Sequence, residues 1–327
     1  MLSLGIESTA HTFSCAIIEK KGKQAKILSD VRKIYRPPEG EGIHPREASR
    51  HHAENSSIVL SECLLKAKVK VEDLNIISYA AGPGLGPCLR IGAVVARSLA
   101  SYYDIPIFPV NHALGHIELG KMLTGAKDPL VLLVSGGHTM ILAFLSKKWR
   151  VFGETLDITL GQLLDQIGRY AGFSSPCGPK IEELASKSRE YEPLPYVVKG
   201  NDVSFSGLLS ATKRIIPKGI ETACYSLQET AFSMIGEATE RALSFTGKKE
   251  LMVVGGVAAN RRLSEILASI CKRHNCKFFV VPKEYAGDCG SQISLLGLLE
   301  SSKKSGVELE ETFVKQSWRL DTVEIPY

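Results

Sequence analysis

The feature that most constrains the fold of this chain is a pattern written twice. Residues 2–6 are apolar, 7–12 form a polar stretch (Glu-Ser-Thr-Ala-His-Thr), 13–18 are apolar again, and a basic turn leads into 26–30. The second copy starts Leu-Val-Leu-Leu-Val at Leu130. It continues through Ser135-Gly136-Gly137-His138-Thr139, apolar 140–145, the pair Lys147-Lys148 and 150–152. Short apolar runs broken by Gly, Ser and Thr predict strand, turn, strand, turn, strand in both places. After the first copy, the pattern predicts a helix over 46–68, a strand over 76–80 and a helix over 89–103. Late in the chain comes a buried strand over 251–254 ending in Gly255-Gly256, then a helix over 261–274 and a strand over 277–281. The pattern is duplicated although the letters are not.

At 327 residues the chain exceeds the roughly 250 to 300 at which a single core stops growing. Two lobes, with a ligand cleft between them, are therefore expected. The predicted fold class is α/β, two-lobed, with duplicated βββαβα units. Residues 1–126 form an N-terminal lobe joined by the tail 305–327, and 127–304 form a C-terminal lobe with an insertion around 154–245. This plan resembles the actin-like, sugar-kinase-like ATPase fold. There the turns, here 7–12, 135–139 and 255–260, offer backbone N–H groups and hydroxyls to phosphate and nucleoside. Singly such turns are weak signals, because Gly and Ser dominate ordinary hairpins too. Their order carries the weight.

The composition, 44% hydrophobic and 23% charged, is that of an ordinary globular protein. The net charge of +5 is modest, and the basic clusters at 20–23, 261–262, 271–277 and 303–304 are short and scattered. Each is more often a solvated turn or helix end, so charge permits a nucleic-acid surface without naming it. Eight cysteines without a CxxC pair read as buried reduced thiols. Residues 1–18 have no basic leader, and no run reaches the roughly 18 apolar residues of a membrane span. A cytoplasmic protein with no membrane partner is expected.

His112-Ala-Leu-Gly-His116 places two imidazoles one helical turn apart, on one face, where both can reach a single cation. Isolated pairs of this spacing are usually structural, so a third ligand is needed. Asp288, in Tyr285-Ala-Gly-Asp-Cys-Gly-Ser, is the candidate, against the plainer reading of a helix N-cap. A zinc peptidase needs glutamate directly after the first histidine, and Ala113 stands there. Gly82-Pro-Gly-Leu-Gly-Pro87 lacks the Gly-Lys-Ser/Thr ending of a phosphate-binding loop, and its plainer reading is a tight, closely packed turn.

In context the histidine pair becomes specific. Arg97-Ser98, Tyr103-Asp-Ile-Pro106, Asn111-His112 and Gly115-His-Ile117 resemble the signature of the universal tRNA threonylcarbamoyladenosine transferase family, formerly named O-sialoglycoprotein endopeptidase. The resemblance extends through Ile43-His-Pro-Arg-Glu-Ala, Val134-Ser-Gly-Gly-His-Thr139, Gly153-Glu-Thr-Leu-Asp157, Lys199-Gly-Asn-Asp-Val-Ser-Phe-Ser-Gly207, Gln228-Glu-Thr-Ala-Phe232 and Gly255-Gly-Val-Ala-Ala-Asn260. It implies transfer of a threonylcarbamoyl group from threonylcarbamoyl-AMP to N6 of the adenosine 3′ of the anticodon, in tRNAs reading codons that begin with A. It further implies one iron or zinc ion held by His112, His116 and Asp288, which carry catalysis through the metal. Leu133, Val134, Ser135, Gly136, Gly137, Asp165, Gly178, Glu182 and Asn260 would hold the adenylate, with ATP, ADP or AMP as other occupants. The implied partners are tRNA and KEOPS-type subunits: a kinase-like ATPase, a dimerisation subunit and a tRNA-recruiting subunit.

Three departures stand out. Leu133 occupies the place of an aromatic metal ligand found in archaeal and eukaryotic members, so three protein ligands are expected. The turn around it is of bacterial type while 43–48, 51–52 and 199–207 favour the archaeal type. Cys177 and Cys289 put thiols near the expected site, leaving open oxidation sensitivity or a thiolate ligand. His138, Glu7 and Thr9 are divided between ligand contact and turn capping, and His51-His52 read as satisfied histidines rather than a second metal site. The competing readings are an actin-like small-molecule kinase or ATPase, with Glu7 as its only candidate magnesium carboxylate at the first turn, and a non-catalytic partner keeping the fold. Helices 46–68 and 89–103 are expected to offer an apolar face to a partner, or to be lobe core.

Overall fold

The structure, a computed structural model, describes residues 1–22, 24–325 and 327; Lys23, in the basic cluster at 20–23, lies outside them. Two compact units result: Met1–Arg36, Ile43–Leu119 and Asp288–Tyr327 form the first, Pro37–Gly42 and Gly120–Gly287 the second. Each has its own apolar core.

In the first unit β1 (Leu2–Glu7), β2 (Thr12–Lys21) and β3 (Gln24–Ile34) form the expected meander. After it come α1 (Pro45–Ala67), β4 (Ile76–Gly82), α2 (Gly86–Tyr103), β5 (Ile107–Asn111) and α3 (His112–Thr124). Helices α1 and α2 both stop where the next residue, Lys68 or Asp104, takes a left-handed conformation and turns the chain. The sheet order is β3-β2-β1-β4-β5, with β2 and β3 antiparallel and β4 and β5 parallel to the strands they join.

The second unit repeats that order. Its meander is β6 (Leu130–Val134), β7 (Thr139–Leu145) and β8 (Lys148–Glu154). The insertion follows: α4 (Leu160–Tyr170), α5 (Gly178–Ala185), the small hairpin β9 (Val198–Lys199) and β10 (Asp202–Val203), α6 (Ser206–Ile215) and the long α7 (Ile220–Thr246). The sheet is completed by β11 (Glu250–Val254) and, after α8 (Arg261–Arg273), by β12 (Lys277–Val280); α9 (Lys283–Ala286) is a single turn. The order β8-β7-β6-β11-β12 is that of the first sheet, with the same mixture of antiparallel and parallel pairs. The duplicated α/β plan expected of an actin-like fold is thus realised strand for strand.

The expected lobe limits need correction. Residues 288–304 do not join the second unit, because α10 (Gly290–Glu300), buried around nearly its whole circumference, lies on β1, β2 and β4 of the first sheet. The approach is close enough that a Cβ on Gly5 would come within 2.2 Å of Ser294 N, and one on Gly290 within 2.5 Å of Ala16 N. Ser3 and Ser294 bond each other's backbone carbonyls across this contact, at 3.1 and 2.9 Å. Residues 37–42 and 120–126, assigned by sequence to the first lobe, belong to the second unit. The tail does join the first unit: Lys315 N donates to Ala81 O, Gly84 N to Gln316 O, and Leu320 and Val323 are buried.

Candidate metal centre and nucleotide rim

Helix α3 begins directly at the end of β5, so His112 and His116 enter the first unit's interior at 5% and 2% exposure. Asn111 Oδ1 accepts from Leu114 N at 3.0 Å and caps that helix start. Asp288 lies against both rings, its Oδ1 3.6 Å from His112 Nε2 and 3.3 Å from His116 Nε2. One ligand atom from each of the three falls within 4.8 Å of the other two, the only such cluster among the described residues. The sequence alternatives for Asp288 are thereby resolved against the N-cap, because the cap position of α10 is Cys289.

What caps α10 instead comes from the sheet. Ser14 Oγ accepts from Gly290 N at 2.9 Å, and Asp30 Oδ2 accepts from Ser291 N and Oγ at 3.0 and 2.6 Å. With the orphan N–H groups of the first turn met by β2 and β3, the Asp288 carboxylate is left to face the histidines. Ser14 and Asp30 were not singled out by sequence; their partners lie 276 and 261 residues away, which no local pattern encodes.

Glu7 resolves from its divided reading into an orienting group. Fully buried, it accepts from His112 Nδ1 at 2.8 Å through Oε2 and from Thr9 N at 2.6 Å through Oε1. A carboxylate can only accept, so Nδ1 carries a proton, and in the neutral ring Nε2 is the nitrogen with the lone pair. Burial pulls the pKa of both imidazoles down. At His112 the charges of Glu7 and Asp288 prevail and lift it to about 9, whereas His116 remains below its ordinary value. Burial would raise Asp288, but the hydrogen bond from His116 and the charge on His112 hold it below the usual carboxylate range. The pocket favours positive charge and presents two imidazole nitrogens and a carboxylate oxygen. That donor set fits zinc or ferrous iron, with a second-layer carboxylate already in place.

The second unit assembles the other expected residues. Leu133 and Val134 are fully buried in β6, which leads into the turn. In that turn Ser135 Oγ accepts from Gly137 N and His138 N at 3.2 and 3.0 Å, while Gly136 and Gly137 are exposed. The start of α4 is tied to it: Thr159 Oγ1 donates to Gly136 O at 2.9 Å, and Leu160 N donates to Thr139 Oγ1 at 2.8 Å. Gly255, after β11, has φ +96 and lies so close to Val134 O that a Cβ would come within 2.3 Å.

The three polar side chains expected to hold the nucleoside are each tied to the framework. Asp165 Oδ1 accepts from Cys177 N, beside Gly178, at 2.6 Å, and Glu182 Oε1 accepts from Arg261 N, beside Asn260, at 2.8 Å. Asn260 Oδ1 caps α8 by accepting from Leu263 N at 3.2 Å, and its Nδ2 donates to Gln228 Oε1 at 3.1 Å. Framework bonds therefore hold all three side chains in place within the second unit.

Other expectations resolve plainly. Cys177 and Cys289 are fully buried, and burial pushes their thiols up, Cys177 to about 11 and Cys289 well above the ordinary value; neither belongs to the cluster of His112, His116 and Asp288. His52 is a satisfied core histidine whose Nε2 lies 3.0 Å from Ala10 O. Gly82–Pro87 is the closely packed turn, with Leu85 N donating to Thr9 O at 2.8 Å.

Residues 26–295 match the family described as tRNA N6-adenosine threonylcarbamoyltransferase (TsaD). A protein of that name from Caldivirga maquilingensis is 46% identical over 329 residues, covering 100% of this chain and 98% of its own. A "probable bifunctional tRNA threonylcarbamoyladenosine biosynthesis protein" from Methanothermobacter thermautotrophicus is 48% identical, covering 100% of this chain and 61% of its own. Among solved structures, HypF of T. kodakarensis is similar in fold, with a TM-score of 0.61 at 14% identity over 91% of this chain and 47% of its own.

Proposed function

This chain belongs to the tRNA N6-adenosine threonylcarbamoyltransferase family, and we propose that it transfers the threonylcarbamoyl group of threonylcarbamoyl-AMP to N6 of the adenosine 3′ of the anticodon in tRNAs reading codons that begin with A. The observation that carries this reading is the buried triad of His112, His116 and Asp288 with Glu7 behind it. In the reaction the adenosine N6 forms a bond to the carbamoyl carbon, the bond from that carbon to the AMP phosphate oxygen breaks, and N6 loses a proton.

His112, His116 and Asp288 hold one iron or zinc ion. When bound, that ion supplies Lewis-acid polarisation of the carbamoyl carbonyl. Glu7 fixes the ring of His112. The exposed turn at Gly136 and Gly137 binds the phosphate, Asp165 and Glu182 bind ribose hydroxyls, and Asn260 binds the base or phosphate. A kinase reading is weaker, because Glu7, the carboxylate it would need for magnesium, is engaged by His112 and Thr9.

Acting on tRNA, the protein works in the cytoplasm; among the described residues no helix is long and apolar enough to cross a membrane. It acts with KEOPS-type subunits, a kinase-like ATPase, a dimerisation subunit and a tRNA-recruiting subunit. The relative whose printed name is bifunctional supports a multi-component setting. Ile58, Leu65, Val94 and Tyr102, on the paired helices α1 and α2, are 48%, 79%, 56% and 82% exposed and offer an apolar face to one such partner.

The test is reconstitution with radiolabelled threonine, bicarbonate, ATP, tRNA and the companion proteins. Parent protein forms labelled nucleoside, whereas His116→Ala and Asp288→Ala form none and lose stoichiometric zinc or iron by elemental analysis. Full metal content in His116→Ala would remove the metal role.

A further inference from the structure

Gln228 is a buried amide, 5% exposed, on a helix whose neighbouring positions one turn away, Cys224, Ala231 and Phe232, are fully buried and apolar. Such a group destabilises unless it is hydrogen-bonded. Its partner is Asn260, and the orientation of that pair is set from outside it. Leu263 N–H can only donate, and it donates to Asn260 Oδ1. Asn260 must then turn its NH2 toward Gln228, and Gln228 must answer with its carbonyl oxygen. The residues following Asn260 are gripped as well. Glu182 takes Arg261 N, and Glu229, the chain neighbour of Gln228, holds the Arg262 guanidinium with two bonds of 2.7 Å.

We propose that Gln228 is a positioning residue for the nucleotide. By fixing the amide of Asn260 it leaves that side chain one oriented N–H, suited to an acceptor atom of a nucleoside monophosphate. Without Gln228 the N-cap bond alone leaves the amide free to swing about it, and the donor loses its direction. The role rests on the reading of Asn260 as a nucleotide contact, and the experiment separates the two.

AMP is titrated calorimetrically into the parent, Gln228→Met, Gln228→Glu, Asn260→Ala and the Gln228→Met/Asn260→Ala double variant, with a thermal melt of each. Methionine keeps the length and removes the acceptor; glutamate keeps the acceptor. Gln228→Met weakens AMP on the order of tenfold, while Gln228→Glu stays within about threefold of the parent. In the Asn260→Ala background Gln228→Met adds no further loss, because it acts through that amide. If Gln228→Met does not fold, Gln228→Ser replaces it with the same expectations.

Two outcomes overturn the role of Gln228 alone, provided Asn260→Ala weakens AMP. One is a lowered melting temperature with unchanged AMP affinity, and the other is a loss that adds fully to that of Asn260→Ala. Unchanged affinity in Asn260→Ala overturns the nucleotide reading, and the role of Gln228 with it.

Discussion

Replacing Glu7 by glutamine tests whether the metal centre is organised from behind. Both carboxylate oxygens face donors: Thr9 N at 2.6 Å on Oε1 and His112 Nδ1 at 2.8 Å on Oε2. An amide has only one oxygen, so Glu7→Gln must set its NH2 against one of two N–H groups, losing a hydrogen bond and adding a donor–donor contact. The Glu7 side chain is fully buried and that of His112 is 6% exposed, so solvent cannot relieve the mismatch. A charge-assisted hydrogen bond of this kind contributes about 1.5 to 3 kcal/mol. That converts to roughly 10- to 150-fold, in line with the 10- to 100-fold typical of groups supporting a metal-bound histidine. The assay is competition for zinc against a chromophoric chelator at fixed pH, with His116→Ala as the reference for loss of a direct ligand. Zinc affinity of Glu7→Gln within about threefold of the parent, alongside clear loss in His116→Ala, would refute the orienting role.

Further predictions follow from burial and backbone geometry. His52, pushed down by burial to about 4 from an ordinary 6.5, binds its proton more readily when unfolded. Stability is therefore full above pH 6.5 and falls as pH drops toward 4, by at most about 3 kcal/mol; denaturant melts of His52→Gln should lack that share of the acid sensitivity. Gly255→Ala forces a side chain into a positive-φ position 2.3 Å from Val134 O, so it should lower stability by at least about 1 to 3 kcal/mol and weaken AMP binding, read by thermal melt and calorimetry. Seven of the eight cysteines are buried and only Cys276 is partly exposed. A thiol reagent at mild pH should therefore titrate at most one group in the native protein and eight after denaturation.

Much of this architecture was legible in the sequence because its signals are local. The two strand-turn-strand copies announce themselves through alternation and Gly-rich turns, and they became two sheets of one order. The spacing of His112 and His116 on a helix likewise needs only a period of 3.6 residues. Helix α10 was misplaced for a physical reason: a segment buried on nearly every side has no polar face to show which sheet it lies on. Asp288 stayed ambiguous between ligand and cap because the groups that relieve it of capping, Ser14 and Asp30, are distant in sequence. One local clue was available for the supporting layer. Gln292, a lone amide in an apolar helix and fully buried, donates to Glu7 Oε2 at 3.4 Å, and such a residue is seldom there for packing alone.

The docking of α10 onto β1 fixes the order of events during synthesis. The chain's first strand supplies Glu7, yet the carboxylate that completes the triad is residue 288. A nascent chain emerging from the ribosome can pair β1 with β2 and β4 early, while the groove that α10 will fill stays open. The candidate metal pocket is therefore closed only late in translation, because its three donors come together only after residue 288 has been made.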